Sequence, residues 1–162
     1  MINKLINFIT YPLNLFQPFK VLSIVKIIES LEKEKEFEKA DKLRTEWISK
    51  VRFKNSAPLL LSHGNYHLEH TKNYQSSLIY FENAAIAFQQ QPLHYSSTNT
   101  LDIYYGCTVS AIMLGLLDKG EEYFKEVVRL HNLIISVKNP SEYAKFYTKR
   151  IEWIKDQLAT SP

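Results

Sequence analysis

With 162 residues, 45% of them apolar and 13% aromatic, the chain has the size and composition of one folded domain that can bury a core without cross-links, which excludes a disordered or low-complexity polymer. Only 4 Gly and 6 Pro argue against a loop-rich or all-β fold, because such folds need many turn residues. The net charge of +3 is unevenly spread: residues 1–55 carry 11 basic and 7 acidic groups, residues 118–162 carry 8 and 7, and residues 56–117 hold only Lys72 against Glu69, Glu82 and Asp102.

The first element predicted is an apolar segment over residues 1–17, in which Ile2, Leu5, Ile6 and Ile9 recur at the spacing of an amphipathic helix. Pro12 and Asn14 interrupt it, and its apolar run falls well short of the roughly 20 residues of a membrane span. It is expected to pack on the body. A helical pair follows over 20–53. Val21, Ile24, Val25, Ile28 and Leu31 mark one apolar face, and Phe37, Ala40, Leu43, Trp47 and Val51 mark a second. No Gly or Pro marks the break between them. A second pair spans 56–90. It opens at Asn55 or Ser56 as cap with Pro58 in the first turn, runs to about Thr71, and continues through the stripe Tyr74, Ser77, Leu78, Phe81, Ala84, Ala85, Phe88. A third pair spans 98–137. Thr98 or Thr100 is its predicted cap, Leu101, Tyr105, Thr108, Ile112 and Leu116 its inner face, and Asp118-Lys119-Gly120 its turn. Asn139-Pro140-Ser141-Glu142 then starts a closing helix over 140–159, with Tyr143, Tyr147, Ile151, Ile154 and Leu158 as its stripe. No segment alternates with the period of a strand, so the expected fold class is all-α: antiparallel helical pairs with a C-terminal closing helix, in a single domain.

The pairs read as divergent copies of one pattern. Ile27, Ile28 and Leu31 are followed by Phe37, Ala40 and Trp47; Leu61, Gly64 and Leu68 by Tyr74, Ser77, Phe81 and Ala84; Tyr104, Thr108 and Ala111 by Leu117, Gly120, Phe124 and Val127. A large and a small residue on the leading helix, then a small residue, an aromatic and another small residue on the second, resemble tetratricopeptide repeats over about residues 20–137. The spacing Ala40 to Ser77 to Gly120 is 37 and then 43 residues, and Arg44 stands where the first copy should carry its aromatic. The resemblance implies a helical solenoid of the tetratricopeptide type whose leading helices line a partner-binding groove. Carried over by position, the groove residues are Ser62, Tyr66, Glu69 and His70 in the second copy and Asp102 and Tyr105 in the third, with His63 and His67 beside them. Tyr and His, which offer contact area and a polar tip, fill the charge-poor middle.

Competing chemistries find less support. His63, His67 and His70 fall within about 60° of one another around a helix, so a metal- or small-molecule-binding face is the alternative of another class, although Gly64-Asn65-Tyr66 supplies no base between the first two. Cys107 is the sole cysteine; it excludes an internal disulfide and points to a reducing, cytoplasmic setting. The charge-poor centre has no carboxylate pair, since Glu69, Glu82 and Asp102 are isolated in sequence. There is no glycine-rich phosphate loop, and the basic cluster Lys50, Arg52, Lys54 is too short and too close to acids for a nucleic-acid stripe. The expected function is therefore non-enzymatic protein binding, without cofactor, metal, nucleic acid or membrane span. A toxin-neutralising immunity protein is one form of it; a secretion chaperone or assembly adaptor is another.

Overall fold

The computed structural model describes residues 17–50, 55–90, 97–136 and 142–160. The expectations for Ile2 to Ile9, Val51 and the Asn139-Pro140 start signal lie outside these residues. Among them the secondary structure is all helical: α1 (Gln17–Lys33), α2 (Phe37–Ile48), α3 (Ala57–Tyr66) continued by a π turn (His67–Thr71), α4 (Tyr74–Gln90), α5 (Ser97–Met113), α6 (Leu117–Ile135) and α7 (Glu142–Thr160). No helix of the described residues is long and apolar enough to cross a membrane.

The break that no Gly or Pro announced is made by Lys35. It takes a left-handed φ of 62°, while Glu36 N–H bonds to Leu31 O and Lys35 N–H to Glu32 O. This is the paired closure of a Schellman motif built on a residue that carries a Cβ. The turn before α6 uses the same closure with Gly115 at φ 74°. It therefore lies over Leu114-Gly115-Leu116 and not at Asp118-Lys119-Gly120, a correction to the sequence reading. Gly120 sits inside α6 because a Cβ there would lie 3.1 Å from Ile112 Cγ1. α3 starts where Ser56 adopts an extended backbone ahead of Ala57 and Pro58, and α4 starts at Asn73, whose Oδ1 accepts from Ser76 N–H at 3.1 Å. Thr100 is buried inside α5 and does not cap it.

Contacts follow chain order with one regular addition. Each helix packs on the next; in addition α3 touches α1, α5 touches α3, and α7 touches α5. Three apolar clusters result. Val21, Ile24, Ile28, Leu31, Ala40, Trp47 and Leu59 form the first; Leu60, Leu78, Phe81, Ala84, Ile103 and Cys107 centre the second; Leu101, Val127, Leu130, Tyr147 and Ile151 form the third.

Phe81 is the pivot of the second cluster. It is fully buried, and its ring occupies the space a Cβ would fill at both Gly64 on α3 and Gly106 on α5. Each glycine costs its helix about 1 kcal/mol relative to alanine, and the packed ring offsets that cost by burying roughly 2–3 kcal/mol of aromatic surface.

α5 departs from the stripe expected of it. Residues Gly106 to Ala111 are all buried, whereas Leu116, placed on the inner face by spacing, is exposed beyond the helix end. Surrounded by α3, α4, α6 and α7, α5 has no single solvated face at this level, so no stripe marks its inside. Its small polar side chains are satisfied internally: Ser110 Oγ donates to Ser77 Oγ at 2.9 Å, Ser77 Oγ to Gly64 O at 3.0 Å, and Thr108 Oγ1 to Tyr104 O at 2.8 Å. Much of the charge-poor middle is thus interior.

Candidate functional site

Arg44 is the most informative residue of α1 to α4. It is fully buried. Its Nη2 donates to Glu32 of α1, its Nε donates to Ser62 Oγ of α3 at 3.1 Å, and its Cζ lies 4.7 Å from the ring centroid of Tyr66. Desolvation pulls the guanidinium below its ordinary pKa, opposed first by the charge of Glu32. It remains charged, because an arginine starts so far above neutrality. A single cation therefore knits α1, α2 and α3 at the position where an aromatic side chain was anticipated.

Beside it, His63 of α3 is also buried, with 4% of its surface exposed. Its ring stacks on Tyr80 of α4 (centroids 4.1 Å, interplanar angle 6°) and on His67 (5.0 Å, 9°). Burial, then the neighbouring His67 and the Arg44 charge, lower its pKa to about 4, so the imidazole is neutral at pH 7. Its Nε2 stands 3.5 Å from Asp41 Oδ1, an ionic-range approach that makes no hydrogen bond, since Asp41 Oδ1 has no partner of that kind.

The other predicted groove residues of α3 and its π turn reach outward. Tyr66 and His67 are half-buried, while Glu69 and His70 are exposed. His70 packs on Phe37 of α2 (4.3 Å) and against Tyr66 (5.7 Å), and the Tyr66 ring meets His67 edge-on at 5.6 Å. The π turn makes this arrangement possible. His67 O accepts from Lys72 N–H and Asn73 N–H, the chain reverses through Lys72 at φ 55°, and the extra residue in the turn rotates His70 away from His63 and His67. The three rings do not converge. Among the described residues, no group of three or more His, Cys, Asp and Glu could hold a metal ion.

Asp102 and Tyr105 lie elsewhere, beneath α7. Tyr147 OH donates to Asp102 Oδ1. Burial raises the Asp102 carboxyl, with hydrogen bonds from Tyr147 and Tyr143 and the charge of Arg150 opposing the shift. Tyr105 meets Tyr147 edge-on at 5.4 Å, and the Arg150 guanidinium lies 4.6 Å over its ring. These two predicted positions are thus held within the chain by α7. The structure brings Ser62, His63, Tyr66, His67 and His70 together at one seam and sets Asp102 and Tyr105 at another.

A third seam joins α4 and α6, where Tyr123 OH donates to Glu82 Oε1 at 2.6 Å and Lys119 Nζ lies 2.5 Å from the same oxygen. Burial pushes the Glu82 carboxyl up, but the bonds from Lys119 and Tyr123 outweigh it and leave the pKa lowered.

Glu32 and Asp41, which spacing did not single out, complete the first seam with Arg44, and Phe37 and Tyr80 are its aromatic walls. Arg44 carried one legible signal, namely its place in an apolar register. Compared with models of protein families, with curated proteins and with solved structures, the chain finds no match.

Proposed function

We propose that this chain is a non-enzymatic protein-binding module made of tetratricopeptide-like helical pairs, α1–α2, α3–α4 and α5–α6, with α7 in the place of a further leading helix. The regular contact of each leading helix with the one before it supports this reading. So does the spacing within copies. Ile28 to Ala40 and Thr108 to Gly120 are 12 residues apart, Gly64 to Ser77 are 13, and the longer copy is the one that contains the π turn, which takes up one extra residue.

The observation that carries the function is the surface at the end of α3. Tyr66, His67, Glu69 and His70, joined by Phe37, form a partly exposed aromatic and polar patch, held by a buried cation on its inner side. Aromatic side chains with polar tips on a rigid support suit capture of a protein segment. Cys107, by contrast, is fully buried, with its thiol pushed far up by desolvation, which supports a packing role for it over a nucleophilic one.

The test is capture. The immobilised chain should retain a stoichiometric protein partner from its source cells, and His70→Ala with Glu69→Lys should abolish capture without moving the melting temperature. Retention by the double variant at wild-type strength would move the interface off this face. The identity of the captured protein distinguishes a toxin-neutralising inhibitor from a secretion chaperone or an adaptor.

A further inference from the structure

The patch at the end of α3 has a sign as well as a shape. Its rings are Phe37, Tyr66 and His70, with His70 lying 4.3 Å from Phe37 and 5.7 Å from Tyr66, centroid to centroid. Carboxylates flank these rings on two sides. On α2, Glu38 follows Phe37 in the chain, and the charges of Glu38 and Asp41 both act on the Tyr66 hydroxyl. In the π turn, Glu69 precedes His70 and lies near enough to Tyr105 of α5 for its charge to act there. Glu38, Glu69 and His70 are exposed, while Phe37, Asp41 and Tyr66 are half-buried. Rings and carboxylates are both within reach of a partner.

The negative charge is not balanced locally. Among the described residues, no lysine or arginine lies in ion-pair range of Glu38, Asp41 or Glu69. By contrast, Glu36, Glu46 and Glu82 each hold a lysine. The ionic-range neighbour of Asp41 is His63, which is neutral at pH 7. Arg44 lies 4.7 Å from the Tyr66 centroid, but it is buried and already paired with Glu32.

This combination selects a cation. The face of an aromatic ring is negative, so rings flanked by unpaired carboxylates attract positive charge and repel an anion. An apolar segment laid on the patch would cover the half-buried Asp41 carboxylate without pairing it, which costs free energy. The carboxylates are divided between α2 and the π turn and do not gather as a metal site, an arrangement that suits a broad organic cation. A guanidinium meets the description: planar, permanently charged and weakly hydrated, it stacks on rings and keeps its edge free for carboxylates.

We propose that the patch docks a basic segment of a protein partner, with an arginine stacked on its rings and the flanking carboxylates holding the segment's positive charge. That the cation belongs to a protein rests on the protein-binding reading above.

The experiment is an NMR titration of the full chain, following the Tyr66 and His70 ring resonances. The probes are the capped peptide acetyl-Gly-Arg-Gly-Arg-Gly-amide and its lysine, glutamate and leucine counterparts. The arginine peptide is expected to give saturable shifts at both rings that fade as salt is raised. The lysine peptide should bind several-fold more weakly, and the other two should give no saturable shift. Glu38→Gln with Glu69→Gln is expected to weaken the arginine peptide about fivefold. Both side chains are exposed and outside any ion pair of the described residues, so the fold should hold. Glu121→Gln with Glu122→Gln removes the same charge from exposed positions on α6 and should leave the affinity unchanged.

No saturable shift from the arginine peptide would overturn the proposal, as would saturable shifts from the glutamate or leucine peptide. Equal weakening in the two double variants would reduce the effect to net charge and remove the site. A lysine peptide bound as tightly as the arginine one would remove the stacked guanidinium. A captured partner whose retention survives both high salt and Glu38→Gln with Glu69→Gln would leave the protein-binding module standing and overturn the basic segment. Arginine-peptide binding by a chain that captures no protein would do the reverse.

Discussion

At the scale of single residues, Arg44 and Glu32 differ in what their loss should do, although they form one ion pair. Removing Glu32 leaves a guanidinium buried with one hydrogen-bond partner, Ser62, and only the more distant Asp41 to offset its charge. Glu32→Ala is therefore expected to cost about 3–5 kcal/mol. Arg44→Met fills similar volume and leaves Glu32, which is 25% exposed, free to hydrate; about 1 kcal/mol or less is expected. Urea denaturation midpoints of the two variants check the inequality.

His63 makes a pH prediction. Its folded-state pKa, about 4, lies below an unfolded value of about 6.5. Above pH ~6.5 both states are neutral and nothing is lost. As pH falls from about 6.5 toward about 4 the unfolded chain takes up the proton first, so stability declines by up to about 3 kcal/mol and then levels off. Asp41 and Arg44 of α2, His67 in the π turn and Tyr80 of α4 lie against this ring. Burial, then His67 and Arg44, oppose its protonation, and the net shift is downward. A His63→Phe variant should lose this part of the acid sensitivity in denaturation curves taken at pH 7 and pH 4.5. The sequence showed His63 as one of three histidines at helical spacing. It could not show that this one points inward, because helical phase relative to the core depends on where the neighbouring helices lie.

At the scale of elements, two glycine positions carry opposite arguments. Gly106→Ala gains about 1 kcal/mol of helix propensity, yet its Cβ meets the Phe81 ring, an overpacking that costs typically 1–3 kcal/mol or more. Net destabilisation is expected, and Phe81→Leu in the same chain should recover part of it, a coupling visible in a double-mutant cycle. Gly115 has open space around it but φ 74°, so Gly115→Ala should cost about 1 kcal/mol through backbone strain alone.

Lys35, at φ 62° in the matching turn, reverses the sign. Lys35→Gly should raise stability by up to about 1 kcal/mol, readable as a higher melting temperature. That turn was the boundary hardest to place from sequence, because a charged residue does there what glycine does before α6. The start of α3 was legible at Ser56 and Pro58 because a proline in the first turn leaves a local trace.

At the scale of the whole molecule, α7 covers the third cluster. Tyr147 and Ile151 pack with Leu101, Val127 and Leu130, and Tyr147 also supplies a donor to Asp102. A chain ending after residue 136 should therefore expose that cluster, bind a hydrophobic dye such as ANS and lose part of its cooperative unfolding transition. Tyr147→Phe, which keeps the ring and removes the hydroxyl, should cost about 1–3 kcal/mol, because a buried carboxyl loses a donor.

The all-helical class was readable from one chain, because helical periodicity is written locally in spacing, and Ser77 and Phe81 are buried on the stripe that spacing gave them. What the uncharged middle means was decided only by the tertiary structure. The charge-poor stretch divides into a buried hydroxyl chain through Ser77 and Ser110, a seam closed by α7 over Asp102 and Tyr105, and an outward patch at Tyr66, His67, Glu69 and His70. A tyrosine or histidine has the same local preference in all three places. The packing of distant helices determines whether its polar tip meets a buried partner or solvent.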